Sequence, residues 1–425
     1  MQQRFPAGRD VEVSVLLDEL AVEPEGGPLV AGDPRVADFL AGLARRLLTP
    51  GGVRRFPELA SLGFFLRRAE MQRALDRLRG DAAGLRFPRG LVFHVPPANV
   101  DTIFVYSWAL SALAGNRNVV RISPRAAGAA RRALEALNEA LAEADPAVGR
   151  TQRMVTYGHD DAATAALSAA CDLRVVWGGD RSVTEVRRHP LTPRARDLTF
   201  PDRTSFAAIS VAGWQRASEA ARREAARGFF NDAYWFDQAA CASPRALFWV
   251  GDDGDARVAS TEFFAHLRAV LDSRGHVTEP AMAVQKRVAA YGAAADGLVG
   301  SIRLLGNEIA VLDLTQAATL PGGWMGAGTF LQATVAGLDA LAAVVGPKDQ
   351  TCSYFGFAPH ELGQLATGLG GRGIDRIVPF GSALRFSAVW DGYDLLAELT
   401  RVTTLELPAP SPAPSPAPSP APRRG

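Results

Sequence analysis

The sequence predicts an α/β protein in which a parallel sheet, covered on both faces, stands against a second α/β domain. Three observations carry this. Apolar strand-like runs alternate with helical segments from about residue 89 to 211. Such alternation builds parallel sheets with crossover helices. A second stretch, about 212–400, alternates again but less regularly. The last segment, 408–425, repeats proline, alanine and serine, cannot bury a core, and reads as a disordered tail.

Taken in order, residues 1 to about 85 are mixed. Val11-Glu12-Val13-Ser14-Val15-Leu16 reads as a strand, and 35–48 and 61–78 read as amphipathic helices. Gly90-Leu91-Val92-Phe93-His94-Val95 is a buried strand that ends in the turn Pro96-Pro97-Ala98-Asn99. A helix over about 101–114 leads to the second strand, Asn118-Val119-Val120-Arg121-Ile122. The alanine-rich helix 126–144 precedes a third strand, 153–157. A helix over about 161–170 leads to the fourth, Leu173 to Trp177, which ends in Gly178-Gly179. A helix begins near Arg181, and Ser205 to Val211 reads as the fifth strand of this unit. These assignments divide the chain into 1–211, 212–400 and the tail 408–425. Ligands of such sheets lie beyond the carboxyl ends of the strands. That directs attention to the turns at 96–99, 123–125 and 178–181. His94, just before the first turn, reads as a hydrogen-bonded core histidine or, as the lesser reading, one that lines the cofactor cleft. His189 stands at a helix end, where a cation suits the dipole.

The composition excludes several classes. The chain has 425 residues, room for two or three domains, and 48% of it is hydrophobic. Lysine plus arginine (46) balances aspartate plus glutamate (45), for a net charge of +1. Nothing in that balance points to nucleic acid or an acidic partner surface. Three cysteines without paired spacing and six scattered histidines give no disulfide framework and no metal motif. There is no apolar signal core at the N-terminus and no run of membrane-spanning length, so the reading is a soluble cytoplasmic enzyme.

Cys241 is the candidate nucleophile. It lies in Gln238-Ala239-Ala240-Cys241-Ala242-Ser243-Pro244, with small residues on both sides and the strand-like Ala246 to Val250 after it. A thiolate suits thioester or aldehyde carbonyls, because it attacks readily and leaves again. Free cysteine is also among the most buried residue types. Position alone leaves Cys241 between reacting and packing. Cys171 and Cys352 read as packed, the first between a helix and a strand, the second within a strand.

Two segments bring in a resemblance. Pro96-Pro97-Ala98-Asn99, followed by Ala112-Leu113-Ala114-Gly115-Asn116-Arg117-Asn118-Val119-Val120, resembles the start of an aldehyde dehydrogenase cofactor domain. Asp375-Arg376-Ile377-Val378-Pro379-Phe380-Gly381 and Val389-Trp390-Asp391-Gly392-Tyr393-Asp394-Leu395 resemble the fatty acyl-CoA reductases of bacterial luminescence systems, the LuxC type. The resemblance spans about 88 to 400. It implies an aldehyde dehydrogenase-like fold, with a dinucleotide-binding domain facing a catalytic domain. It places Cys241 as nucleophile and Asn99, with the Cys241 backbone N–H, as the oxyanion hole. It also implies cofactor contacts at Pro97, at the end of the second strand (Arg121, Ser123, Arg125), and at the glycine turn Gly178-Gly179.

That strand end carries two arginines and no acid before Glu135, which favours NADPH, since arginine accommodates a 2′-phosphate. The glutamate motif with which oxidising relatives hydrolyse the acyl-enzyme is missing from Asp197 to Ser205, where Asp202 is considered as an unusual replacement base. The expected activity is therefore NADPH-dependent reduction of an acyl-CoA to an aldehyde. Three alternatives stay open: an acyl group delivered by an acyl-protein synthetase or carrier protein, an oxidising aldehyde dehydrogenase, and a non-catalytic acyl-binding subunit. Tyr234, Trp235 and Phe236 are core residues or the wall of an acyl channel. A homo-oligomer is expected from the fold.

Overall fold

The computed structural model describes residues 1–49, 56–80, 84–97, 100, 102–124, 128–158, 160–317 and 325–406. Asn99, Arg125 and the tail 408–425 lie outside the described residues. In chain order the strands of the first half are β1 (Gln2–Phe5), β2 (Ala7–Asp10), β3 (Gly84–Pro88), β4 (Leu91–Val95), β5 (Arg117–Ile122), β6 (Gln152–Thr156), β7 (Leu173–Trp177) and β8 (Arg196–Phe200). The second half adds β9 (Thr204–Ser210), β10 (Pro244–Val250), β11 (Val299–Leu305), β12 (Ile309–Leu314), β13 (Thr329–Val335), β14 (Asp349–Phe355) and β15 (Arg376–Pro379). Short β16 (Val389–Trp390), β17 (Tyr393–Asp394) and β18 (Thr400–Thr404) complete the set.

Two seven-stranded sheets organise the chain. The first runs β2-β1-β6-β5-β4-β7-β8. From β6 to β8 its strands are parallel, and β1 and β2 add an antiparallel edge. Every residue of β4 and β7 is buried, as expected of parallel strands covered on both faces. The helix Ile103–Leu113 is buried along its whole length, which is why it is apolar all round. From β4 the chain builds outward through β5 and β6, then returns to place β7 on the other side of β4. The β4/β7 boundary is therefore the switch point, where a parallel sheet opens a crevice beyond its carboxyl ends.

The second sheet runs β11-β12-β13-β10-β9-β14-β15 and is parallel except at β11. Here the structure corrects the strand count. The segment read as the fifth strand of the first unit is β9, and it lies inside the second sheet; the first sheet ends with β8. The chain crosses between sheets at 201–203, ahead of residue 211. Val11–Leu16 is also corrected. Val13–Ala21 is a helix that buries Leu16 and Leu20, one turn apart. The helix expected over 61–78 is two, Pro57–Phe65 and Arg68–Gly80.

The chain returns to its first half at the end. Ala388, Trp390, Leu395, Leu396 and Leu399 are buried in the core that packs the first sheet's helices. Tyr106 Oη donates to the Ser387 carbonyl (2.6 Å), and Asn116 Nδ2 to that of Leu399 (2.9 Å). Finally β18 pairs antiparallel with β3 in a ribbon that exposes Leu85, Phe87 and Val402.

One buried charge fixes the outer edge of the first sheet. The Arg174 side chain on β7 is 1% exposed. Its Nε and Nη2 grip both oxygens of Asp197 on β8 (2.7 and 2.9 Å). Its Nη1 donates to Ser168 Oγ and to the carbonyls of Val186 and His189. Removing one partner of such a pair leaves the other uncompensated. Arg174→Met is expected to cost about 3 kcal/mol in urea unfolding. A loss near zero would show that Asp197 is already solvated well enough without it.

Candidate active site

Cys241 sits between a long helix and β10. The helix Glu219–Tyr234 starts on Ser218, whose hydroxyl accepts from the Ala221 N–H. After it the backbone turns through two left-handed residues, Asp237 (φ 47°) and Gln238 (φ 61°). Non-glycine residues hold that conformation only when neighbours fix them. The Gln238 amide does so. Its Nε2 donates to the carbonyls of Pro244 and Thr329 (both 3.0 Å). Its Oε1 accepts from the N–H groups of Gly328 (2.8 Å) and Thr329 (3.1 Å). The nucleophile loop is thereby stapled to the start of β13.

The Cys241 peptide is anchored as well. Ser205 Oγ, at the start of β9, donates to the Cys241 carbonyl (2.7 Å) and accepts from the Thr351 N–H on β14 (3.1 Å). The sulfur therefore stands at the amino edge of the second sheet. It faces the carboxyl edge of the first sheet across a cleft of about 950 Å³, a size typical of small-molecule sites. Pro97, Gly178 and Gly179 line the same cleft. Of the residues singled out in the sequence, the structure thus brings these three together with Cys241. Cys171 and Cys352 are buried.

Arg121 and Ser123 are at the end of β5 and are not among the described residues lining this cleft. The Arg121 guanidinium lies 5.1 Å over the Tyr157 ring and donates to the Gly158 carbonyl (3.3 Å). His94 is a core histidine. It is fully buried between Ser107 Oγ (2.8 Å) and Asn118 Oδ1 (2.9 Å), and burial holds its pKa down to about 4. Asn118 turns its oxygen to His94 because its nitrogen donates to the Asn116 carbonyl and Gln152 Oε1. His94 is then neutral with its proton on Nε2, and Nδ1 accepts from Ser107. Ser107 in turn accepts from Trp177 Nε1 (3.1 Å), so this network steadies an aromatic wall of the cleft.

The cleft is lined by both apolar and charged residues. Trp177, Phe200, Trp235, Phe386 and Trp390 line it, with the Trp177 and Phe200 rings stacked 3.6 Å apart. Arg203, Arg245 and Lys348 supply positive charge. At the glycine turn the structure departs from expectation. The first N–H of the helix Asp180–Arg187 is already engaged, because Asp180 N–H donates to Asp202 Oδ2 (3.1 Å). Asp180 accepts from the Asp202 N–H and from Lys348 Nζ (2.7 Å). Asp202, the acid considered as a hydrolytic base, lines the cleft and accepts the Asp180 N–H through one of its oxygens.

Sequence reasoning missed two residues beside the sulfur. Gln350 Nε2 lies 3.4 Å from Cys241 Sγ and also donates to Asp391 Oδ1. Asp391 and Gly392 form the turn between β16 and β17, with φ of 48° and 75°. Asp-Gly is the strongest sequence signal for that kind of turn, so the turn was legible, but its direction was not. Burial pushes the Asp391 carboxyl up from its ordinary range. The Cys241 thiol is raised to about 11, first by burial and then by the Asp391 charge; Gln350 and Arg245 oppose this. At neutral pH the thiol is protonated, so attack requires that its proton leave.

The comparisons agree with the fold. A NAD-dependent aldehyde dehydrogenase from Sinorhizobium meliloti superposes with a TM-score of 0.64 at 15% identity, covering 94% of this chain and 88% of that one. An aldehyde dehydrogenase from Brucella melitensis biovar abortus 2308 gives 0.63 at 12%, covering 92% and 86%. Proline utilization A from Bradyrhizobium japonicum (a D779W mutant) gives 0.65 at 16%, covering 94% of this chain and 45% of that one. At such identities the likeness establishes an aldehyde dehydrogenase-like fold. No curated protein matches the chain. Residues 62–297, more than half of the sequence, match the acyl-CoA reductase (LuxC) family, and the chain belongs to that family.

Proposed function

We propose that this protein reduces acyl thioesters to aldehydes with NADPH, through an acyl group held on Cys241. The observation that carries the reading is Cys241, a partly exposed residue that lines the cleft at the amino edge of one sheet, opposite the switch point of the other. The sulfur bonds to the thioester carbon as the bond from that carbon to the departing thiol breaks. The thiol proton leaves with the released CoA. When bound, NADPH supplies the hydride that reduces the acyl carbon. The carbon–sulfur bond then breaks, the aldehyde departs, and Cys241 leaves as a thiolate that takes up a solvent proton to restore the thiol.

The residues present suit the cofactor with one adjustment. A side chain at Gly179 would bring its Cβ to 3.1 Å from the Asp202 carboxylate, so the turn is already close-packed without one. The first N–H of the helix Asp180–Arg187 is engaged by Asp202 and Lys348 is paired with Asp180, so we assign diphosphate neutralisation jointly to the remaining N–H groups of the helix start and the cleft cations Arg203, Arg245 and Lys348. Arg121 and Ser123 remain the proposed contacts at the 2′-phosphate end, with Asn99 and Arg125 assigned as above from the sequence. Pro97 and the Gly178–Gly179 turn form the wall along which the cofactor runs.

Reduction rather than hydrolysis is supported at the end of β8. There the chain presents Phe200 and Pro201, and Asp202 is engaged with Asp180. A protein-borne acyl group would reach the same sulfur, and acyl-CoA supplied alone separates the two donors. The exposed β3–β18 ribbon supports a homo-oligomer. The deciding experiment is intact-protein mass spectrometry after a long-chain acyl-CoA, then NADPH. An adduct on Cys241 that NADPH discharges as aldehyde is expected. An adduct lost only to water, or none from either donor, would overturn the proposal.

Trp235 is assigned to the acyl channel. Trp235→Ala is expected to shift the kcat/KM profile toward longer chains, by about fourfold per methylene newly accommodated. An unchanged profile would remove it from the channel.

A further inference from the structure

We propose that the Gln350 amide is the hydrogen-bond donor to the Cys241 sulfur and to the oxygen of the acyl carbon it attacks, with Asp391 as the positioning residue that keeps its nitrogen turned toward them. The chemistry rests on the acyl-cysteine reading; the geometry does not.

Gln350 is fully buried at an irregularity in β14 between Asp349 and Thr351, where its carbonyl accepts from the Asp375 N–H (2.8 Å). An amide side chain has nearly the same shape either way round, and only its partners decide whether nitrogen or oxygen faces a given atom. Here the partners agree. Thr351 Oγ1 donates to Gln350 Oε1 (3.4 Å), and Asp391 Oδ1 receives Nε2. An ionised carboxylate only accepts, so it requires the nitrogen. That nitrogen has two hydrogens, one for Asp391 and one for Sγ at 3.4 Å. On this proposal the oxygen of a carbonyl attacked by Sγ comes within reach of the same N–H. The Asp391 backbone is held by its hairpin turn, and the residue is only 9% exposed.

Asp391 therefore acts on Cys241 in two opposite ways. Its charge disfavours the thiolate, while the amide it orients favours it. The other charged or titratable groups acting on the sulfur are Arg245, Arg376 and Tyr106. The opposition makes the proposal testable by sign. In the unaltered chain Asp391→Asn removes the charge but also permits the amide to turn its oxygen to the sulfur. In a Gln350→Leu background only the charge effect is left.

The experiment is a double-mutant cycle on the pH midpoint of Cys241 alkylation by iodoacetamide, read by peptide mass, with thermal melts to verify folding. In the Gln350→Leu background Asp391→Asn is expected to lower the midpoint. In the wild-type background it should lower it far less or raise it. Gln350→Leu alone should raise the midpoint and slow single-turnover acyl transfer by about 10²–10³-fold, the loss for one oxyanion donor. Gln350→Glu, nearly isosteric, should do the same if Leu compromises folding. Equal shifts in both backgrounds would overturn the positioning role of Asp391. Unchanged acyl transfer in both Gln350 variants would overturn the donor role. Alkylation needs no acyl substrate, so a wild-type protein that alkylates normally but never acylates would refute the proposed function and leave this cycle readable.

Discussion

Cys241→Ala is expected to abolish the acyl adduct and to lower aldehyde formation by about 10⁴-fold or more, the scale seen when a covalent nucleophile is removed. The expectation follows from the site. Bond formation to the acyl carbon needs a polarisable atom at the cleft face, and alanine offers none. The fold should be unaffected, because the change removes one atom from a partly exposed residue in a loop held by other hydrogen bonds. Circular dichroism and the thermal midpoint should match the wild type. Serine should be almost as inactive, since a hydroxyl ionises far less readily than a thiol. Aldehyde formation within tenfold of wild type in either variant would remove Cys241 from the reaction. The reading as a non-catalytic acyl-binding subunit would then gain ground.

The second large effect is structural. Gln238→Leu strips a partner from three buried backbone groups, the carbonyls of Pro244 and Thr329 and the Gly328 N–H, while the Thr329 N–H keeps the Gly326 carbonyl (3.2 Å). An unsatisfied buried group costs about 1–3 kcal/mol. Leucine is also poorly suited to the left-handed conformation at this position. A stability loss of about 4 kcal/mol or more is expected in urea unfolding. Native-state labelling should report the same change locally, as faster and less uniform alkylation of Cys241 when its loop comes away from β13. Gln238→Glu retains the accepting oxygens and should lie between leucine and wild type. A loss under about 1 kcal/mol for leucine, less than one unsatisfied group, would mean that water or a loop shift satisfies those groups.

Much of this was legible because it depends on local pattern. The run of buried strands from β4 to β7 and the helices between them show the parallel sheet directly. The small residues around Cys241 and the strand after it fit its position at a strand entrance. What failed was of two kinds. Val11 to Leu16 satisfies a strand alternation and a helical stripe at once, and the burial of Leu16 and Leu20 against the first domain decides for helix. The segment now assigned to β9 is buried throughout its middle, and such a run reads identically in either sheet; only pairing with β10 and β14 assigns it. The partners of Cys241 failed for a different reason. Gln350 and Asp391 lie 109 and 150 positions away, and a buried glutamine carries no local sign of what it donates to. Arg121 shows the converse, a residue found where the strand order puts it but with its side chain laid on Tyr157.

The return of the chain to its starting half has a consequence for synthesis. Trp390, Leu395, Leu396 and Leu399 are parts of the first core, and β3 has its strand partner in β18. A ribosome making this protein therefore delivers the first sheet long before it delivers the residues that seal its helices. Domains commonly complete themselves in order of emergence, amino end first. This one stays open along one side until nearly four hundred residues have been added. A truncated product ending before Trp390 would leave the nascent chain with an unsealed apolar face, a natural client for chaperones.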